Sequence, residues 1–165
     1  MRKYVVALKI FVDADSCPRD ARELVLRTAR RRGINAVFIA NRLIPGIGGT
    51  HCIMEICPPG DNAADNRIVE QASQGDLAVS RDLPLAKRLL EKGVTVIDDR
   101  GRLFTLNNIN ELLSLRNFMV GLAENGLDVE RTASYNQKNR KSFADALDRQ
   151  LAKLIPLADT SSGLA

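Results

Sequence analysis

Apolar residues along this chain gather into short, almost unbroken runs, separated by longer stretches of helical spacing. Residues 5–12, 35–40, 51–57, 77–80 and 94–98 are such runs, several of them rich in Val, Ile and Phe. Continuity, rather than alternation, is what a strand covered on both faces requires, so these runs predict five buried strands. In "RDARELVLRTARRRG", Ala21, Leu24, Val25 and Thr28 follow helical spacing and Gly33 supplies the stop. Ser16 can cap that helix, and Pro18 suits its first turn, where a missing N–H costs little. Further helices are predicted over 63–73, 84–93, 110–122 and 138–154, and "NRLIPGIGGT" reads as a glycine-rich loop. Strands alternating with helices predict an α/β fold, a three-layer sandwich with a central, mostly parallel sheet and C-terminal helices. No repeat or linker interrupts the pattern. Residues 1–155 therefore read as one domain, and 156–165 as a disordered tail.

Composition narrows the partners. With 45% hydrophobic and 27% charged residues, the 165-residue chain is expected to be soluble and globular. Aromatics are only 4%, with no Trp, so stacking platforms for single-stranded nucleic acid are scarce. A net charge of +4 is compatible with an anionic partner but mild enough to serve solubility alone. Cys17, Cys52 and Cys57 form no C-x-x-C, and three thiols cannot all pair with one another, which suits a reduced cytoplasmic compartment. The start "MRKYVVALKIFVDAD" has a basic end and an apolar run, but Lys9 interrupts it and no small-residue cleavage site follows. No segment is long enough to span a membrane.

The chemistry gathers at the strand ends. Asp13 and Asp15 close the first apolar run, Asp82 follows the fourth, and Asp98 and Asp99 end the fifth. Asp61 and Asp65 lie near the start of the helix between strands three and four. In an open parallel sheet, ligands bind beyond the carboxyl ends of the strands, so acids distant in sequence can converge there. Two carboxylates about 4 Å apart repel by roughly 4 kcal/mol at an effective dielectric of about 20, and either water or a cation must offset that. Oxygen ligands of this kind suit Mg²⁺ or Mn²⁺. Capping alone accounts well for Asp61, Asp98 and Asp99. Asp13 is harder to dismiss, because it ends a buried strand and a buried charge needs a partner.

Other candidates are explained by structure. His51 is the only histidine, which excludes a histidine-rich zinc site within the chain. Cys17 lies near a helix start but has no His nearby in sequence, so it reads as a small packing residue. "PGIGGTH" lacks the third glycine of a dinucleotide fingerprint, and there is no P-loop lysine motif. Arg27, Arg30, Arg31 and Arg32 suit a helix C-terminus, as do basic residues generally. Together with Lys138, Arg140 and Lys141 they are also the candidate phosphate contacts.

"VDADSCP", "ADNRIV", "GDLAVSRDLPLA" and "RNFM" occur in this order and together resemble motifs of the bacterial YaiI/YqxD family. The similarity runs over residues 9–154, and "NQKNRKSFADAL" is similar to the family's basic helical end. The resemblance implies a PIN-like domain, a nuclease-type fold with acids around a divalent ion. Carried over position by position, Asp13 and Asp15 match the first acidic pair, Asp65 the acid of the A-D-N stretch, and Asp82 the acid before P-L-A. Ser80 keeps a hydroxyl where the family often has threonine. Arg81 stands where a smaller or polar residue is expected, and "DDRG" replaces an asparagine-containing turn, so Asp98 and Asp99 do not transfer. On this reading Asp13, Asp15, Asp65 and Asp82 hold one or two Mg²⁺ or Mn²⁺ ions, and Ser80 orients a ligand or a metal-bound water. The expected function is phosphodiester hydrolysis of nucleic acid, RNA ahead of DNA. Two alternatives stand beside it. In a haloacid-dehalogenase-type phosphohydrolase, Asp13-x-Asp15 would supply nucleophile and acid/base, with Ser80, Lys87 or Lys92 and Asp98–Asp99 in later roles. The other is a non-catalytic RNA-binding or regulatory module.

Overall fold

The computed structural model describes residues 7–126 and 134–163, with side chains to 156. Its elements, in chain order, are β1 (Lys9–Asp13), α1 (Arg19–Arg32), β2 (Asn35–Ala40), β3 (Cys52–Ile56), α2 (Ala63–Gln71), β4 (Leu77–Val79), α3 (Leu83–Glu91), β5 (Thr95–Ile97), β6 (Leu103–Phe104), α4 (Leu106–Glu124) and α5 (Gln137–Gly163). The strands form one sheet in the order β3-β2-β1-β4-β5-β6, parallel except for β6. The α/β expectation therefore holds.

The layers follow from strand parity. Ile10 and Val12 of β1 face the same way as Phe38 of β2 and Val79 of β4, and pack with Val25 of α1 and Phe143 and Leu147 of α5. Phe11, Ile39, Ala78 and Val96 point to the opposite face, against Ile68 of α2, Leu85 and Leu89 of α3 and Ile109 of α4. Both faces are apolar, which is why the strands read as continuous runs. Asp13 lies two residues beyond Phe11, so parity aims it at the α2–α3 side. Ser80, two beyond Ala78, is aimed the same way.

Local chemistry sets the helix limits. Gly33 closes α1 in the left-handed region at φ 66°, a conformation that costs a side-chain-bearing residue about 1–2 kcal/mol. The start of α1 differs from expectation: Pro18, not Ser16, holds the cap position, and no side chain caps the helix. Ser16 is instead drawn to Asp13. α4 begins earlier than its apolar spacing suggests, because Thr105 and Asn108 form a reciprocal capping box ahead of it. β6 is two residues long, too short to show a period. Its turn packs so closely on α5 that a Cβ on Gly101 would lie 2.4 Å from the Ser142 carbonyl oxygen.

Residues 5 and 6 of the expected first strand lie outside the described residues, and the expected tail, 156–165, falls almost wholly on residues whose side chains are not described. Among the described residues no helix is long and apolar enough to cross a membrane.

Candidate functional site

Strand order reverses between β1 and β4, whose following helices lie on opposite faces of the sheet, and ligands of open α/β sheets bind at such a switch point. Register pairs Val12 with Val79, so the next residues, Asp13 and Ser80, emerge side by side although 67 positions separate them. The Ser80 hydroxyl donates to Asp13 Oδ2 at 3.0 Å, and the Ser16 hydroxyl donates to the same oxygen at 3.1 Å. Ser80 also accepts from the Asp82 N–H at 3.0 Å, tying the start of α3 to the end of β1.

Asp13, Asp15, Asp65 and Asp82 line one open cleft of about 190 Å³, with Asn41 and Asn62. Asp82 caps α3, its Oδ1 accepting from the Leu85 N–H at 3.0 Å. Asp15 accepts from the Asn41 N–H at 2.8 Å and has the Arg42 guanidinium 3.9 Å away, on its more exposed side of the cleft. Asp65 comes from the first turn of α2. That helix starts from Asn62 in the left-handed region at φ 62°, where asparagine is tolerated better than most residues.

The electrostatics of this cleft disfavour the charged forms of two of its carboxyls, Asp13 and Asp65. Burial, and then the facing charges of Asp82 and Asp13, push Asp65 up to about 6. Asp13 is also raised, chiefly by burial and further by Asp82 and Asp15, against the lowering effect of its two hydroxyl partners. Carboxyls raised by desolvation and by one another are groups that gain from an added cation. The donor set is all oxygen, which fits Mg²⁺ or Mn²⁺. Hydrogen bonds among the described residues take one oxygen each of Asp13 and Asp82, and none reaches Asp65. Even so, no group of three or more His, Cys, Asp or Glu side chains among the described residues is drawn close enough to hold a metal ion.

The other acids considered from the sequence stay out of the cleft lining, although Asp99 shares a small pocket with Asp13, Ser16 and Ser80 on the α1 side. Asp98 Oδ1 accepts from the backbone N–H groups of Arg100 and Arg102, bracing the turn between β5 and β6. Asp99 is buried and paired with Arg81, and Asp61 is exposed outside the cleft lining. Arg81, out of place against the family motif, is thus the partner of Asp99. Lys92 donates to the Val69 carbonyl at the far end of α3, and neither it nor Lys87 lines the cleft. Of the set required by the dehalogenase-type alternative, Ser80 and Asp99 lie beside Asp13, but neither lysine joins them. Cys17 is buried and pushed up to about 12, mainly by burial and then by Asp99, in keeping with a packing role. His51 sits before β3, on the opposite sheet edge, with Nδ1 3.0 Å from Asn35 Oδ1.

The basic clusters take up the helix-end and pairing roles that the sequence also offered. Arg30, Arg31 and Arg32 end α1, about 20 Å along the helix from its cleft-side start. Arg31 and Arg32 approach Asp148 of α5, Arg30 bonds the Gly48 carbonyl, and Lys141 pairs with Asp145. The arginines tie α1 to α5 and to the β2–β3 connection, whereas the Lys141–Asp145 pair lies within α5; none of them lines the cleft. Sequence reasoning missed Asn41 and Asn62. Asn41 directly follows β2, so the rule that flagged Asp13 would have found it.

Comparison with known proteins agrees with the motifs. The UPF0178 protein of Treponema pallidum (strain Nichols) is 48% identical over 151 residues, covering 92% of this chain and 85% of that protein. Its counterparts in Treponema denticola (45% identical, covering 90% of this chain and 94% of the relative) and Syntrophobacter fumaroxidans (44% identical, covering 91% and 98%) are similar along almost their whole length. No solved structure matches significantly. A family model described as "Uncharacterized BCR, YaiI/YqxD family" matches residues 11–153, from within β1 into α5 and so across every side chain of the cleft; the chain belongs to the YaiI/YqxD family.

Proposed function

We propose that this protein is a divalent-cation-assisted phosphodiesterase of PIN-like type acting on nucleic acid, RNA ahead of DNA. The observation that carries the proposal is the raised pair Asp13 and Asp65, facing Asp82 across one open cleft at the switch point of the sheet. Asp13, Asp65 and Asp82 would hold Mg²⁺ or Mn²⁺, with Asp15 bound directly or through water. Such an ion, when bound, supplies charge for a phosphoryl oxygen and a more acidic water. Ser16 and Ser80 fix the Asp13 carboxylate with two hydroxyl donors, so that its rotamer is set before any ligand arrives. Ser80 is on this account a positioning residue, which modifies the sequence expectation that it orients a ligand. Asn41 and Asn62 add amide donors and acceptors at the rim. Three free, buried cysteines support placing the protein in a reducing compartment, the cytoplasm.

The test is cleavage of labelled single-stranded RNA and DNA with Mn²⁺ or Mg²⁺. Asp13→Asn keeps size and removes charge, and is expected to lower the rate by at least about 100-fold, the scale of losing one charge-stabilising group at a reaction centre. The Asp13→Asn/Asp82→Asn double variant is expected to be little worse, because residues acting as a unit are non-additive. Equal cleavage by wild type and Asp13→Asn would overturn the proposal. RNA binding without cleavage would favour the non-catalytic alternative.

A further inference from the structure

Between the first turns of α1 and the connection from β2 to β3 lies a second cavity, of about 410 Å³. One side is charged, with Arg19, Arg22 and the single acid Glu23, two cations to one anion; the other is apolar, with Leu26, Pro45 and Ile47. We propose that this cavity holds one nucleotide of a single-stranded nucleic acid whose scissile phosphodiester lies in the acidic cleft. Its phosphate would meet Arg19 and Arg22, and its base the apolar wall. The inference rests on the hydrolase reading for the identity of the substrate, and on the following geometry for the place.

β2 and β3 are parallel, so the chain between them must return from the carboxyl edge of the sheet to the other edge. It does so without a helix, running beside α1. This connection lines both sites: Asn41, at its start, borders the acidic cleft, and Pro45 to Ile47 border the cavity. Four residue steps from Asn41 to Pro45 reach at most about 14 Å. That is the length of about four stacked nucleotides at about 3.4 Å each. Arg42 stands between the two sites, beside Asp15. A strand leaving the cleft along this path meets positive charge first and then the cavity.

Both cavity arginines can take a phosphate. Among the described residues Arg19 is held by the exposed i,i+4 pair with Glu23, and such pairs contribute about 0–1 kcal/mol, little enough to exchange for a phosphate. Arg22 donates one Nη1 bond to the Cys17 carbonyl at 2.6 Å, which fixes its direction and uses one of its five donors. The volume lies in the range of small-ligand sites, which suits one nucleotide and is too small for a duplex. Burial against an aliphatic wall is non-directional and discriminates little among bases, so the preference expected is for single strands rather than for sequence.

The experiment is equilibrium binding of a labelled single-stranded oligoribonucleotide, and of the matching DNA, in EDTA across a salt series. Without divalent ions the readout is independent of turnover. Arg19→Ala/Arg22→Ala is expected to lower the slope of log affinity against log salt by about 1.4, at about 0.7 per contact. At about 0.1 M salt this corresponds to an affinity loss of about 25-fold, taking the ionic contribution as zero at about 1 M. Pro45→Glu, on the exposed side of the loop, leaves the Arg22–Cys17 bond in place and is expected to weaken binding several-fold by adding a negative charge to the cavity wall. Lys153→Ala, on α5, is expected to match wild type. Unchanged affinity and slope in both cavity variants would overturn the subsite, as would a duplex bound as tightly as the single strand or no binding by wild type. A chain that binds in this way but does not hydrolyse would overturn the hydrolase reading alone.

Discussion

Asp65→Asn is expected to stabilise the cation-free protein, contrary to the usual effect of altering a candidate site residue. The wild-type carboxyl is raised from an ordinary value of about 3.9 to about 6 by burial and by the charges of Asp82 and Asp13. The folded state therefore binds more protons than the unfolded state between those values, and wild-type stability falls as pH rises through that window. Two units correspond to about 3 kcal/mol; Asp65 is only half-buried, so water screens the effect and about 1.5 kcal/mol is the working figure. For a chain of this size that is a gain of about 3–6 °C in Tm at pH 7.5. At pH 4.5 about a third of it should remain, because most of the native carboxyl is then protonated. The assay is thermal unfolding of wild type and variant in EDTA at both pH values, repeated with Mn²⁺. A native-specific ion at about 100 times its Kd stabilises wild type by about 2.7 kcal/mol, and the variant should gain less, so the difference narrows or inverts. If Asp65→Asn melts below wild type in EDTA at pH 7.5, or its gain is the same at both pH values, the crowding of carboxylates inferred here is wrong.

Two further outcomes check the surroundings of the site. Gly101→Ala should cost more than about 2 kcal/mol, combining left-handed backbone strain with a contact 2.4 Å from the Ser142 carbonyl oxygen. Gly46→Ala has the same φ of 88° and nothing within 4 Å, so comparing the two melting temperatures isolates the contact from the strain. Asp99→Asn should lower stability by about 1–2 kcal/mol, less than for a fully buried pair because Arg81 is half-exposed, and denaturant titration would measure it. Its nucleic-acid cleavage should stay near the wild-type rate; a loss as deep as that of Asp13→Asn would move Asp99 into the site.

Local physical chemistry made much of the fold legible. Buried runs such as 35–40 announced strands covered on both faces, and that range coincides with β2. Gly33 and Gly93 marked helix ends, because a turn into the left-handed region admits little else. The carboxyl-edge rule picked out Asp13 and Asp82, since it needs only strand ends and their direction. What the sequence could not determine was non-local. That β1 lies between β2 and β4, and thereby sets Asp13 against Ser80 across 67 residues, depends on which apolar faces pack together, and no short-range period encodes that choice. Ser16 illustrates the same limit. As a local pattern it is a helix cap, yet the nearby Asp13 carboxylate, deprived of water by the packed sheet, offers its hydroxyl a charged acceptor. The acids sort themselves for the same reason: Asp98 and Asp99 look like Asp13 and Asp15 in sequence, but the β5–β6 turn and Arg81 take them up. The sequence placed Arg30–Arg32 at the end of α1, but only tertiary packing shows that this end lies away from the cleft and that Arg19 and Arg22 line a second cavity. Sequence supplied the elements and the chemical inventory, and the long-range packing of the sheet decided which groups meet.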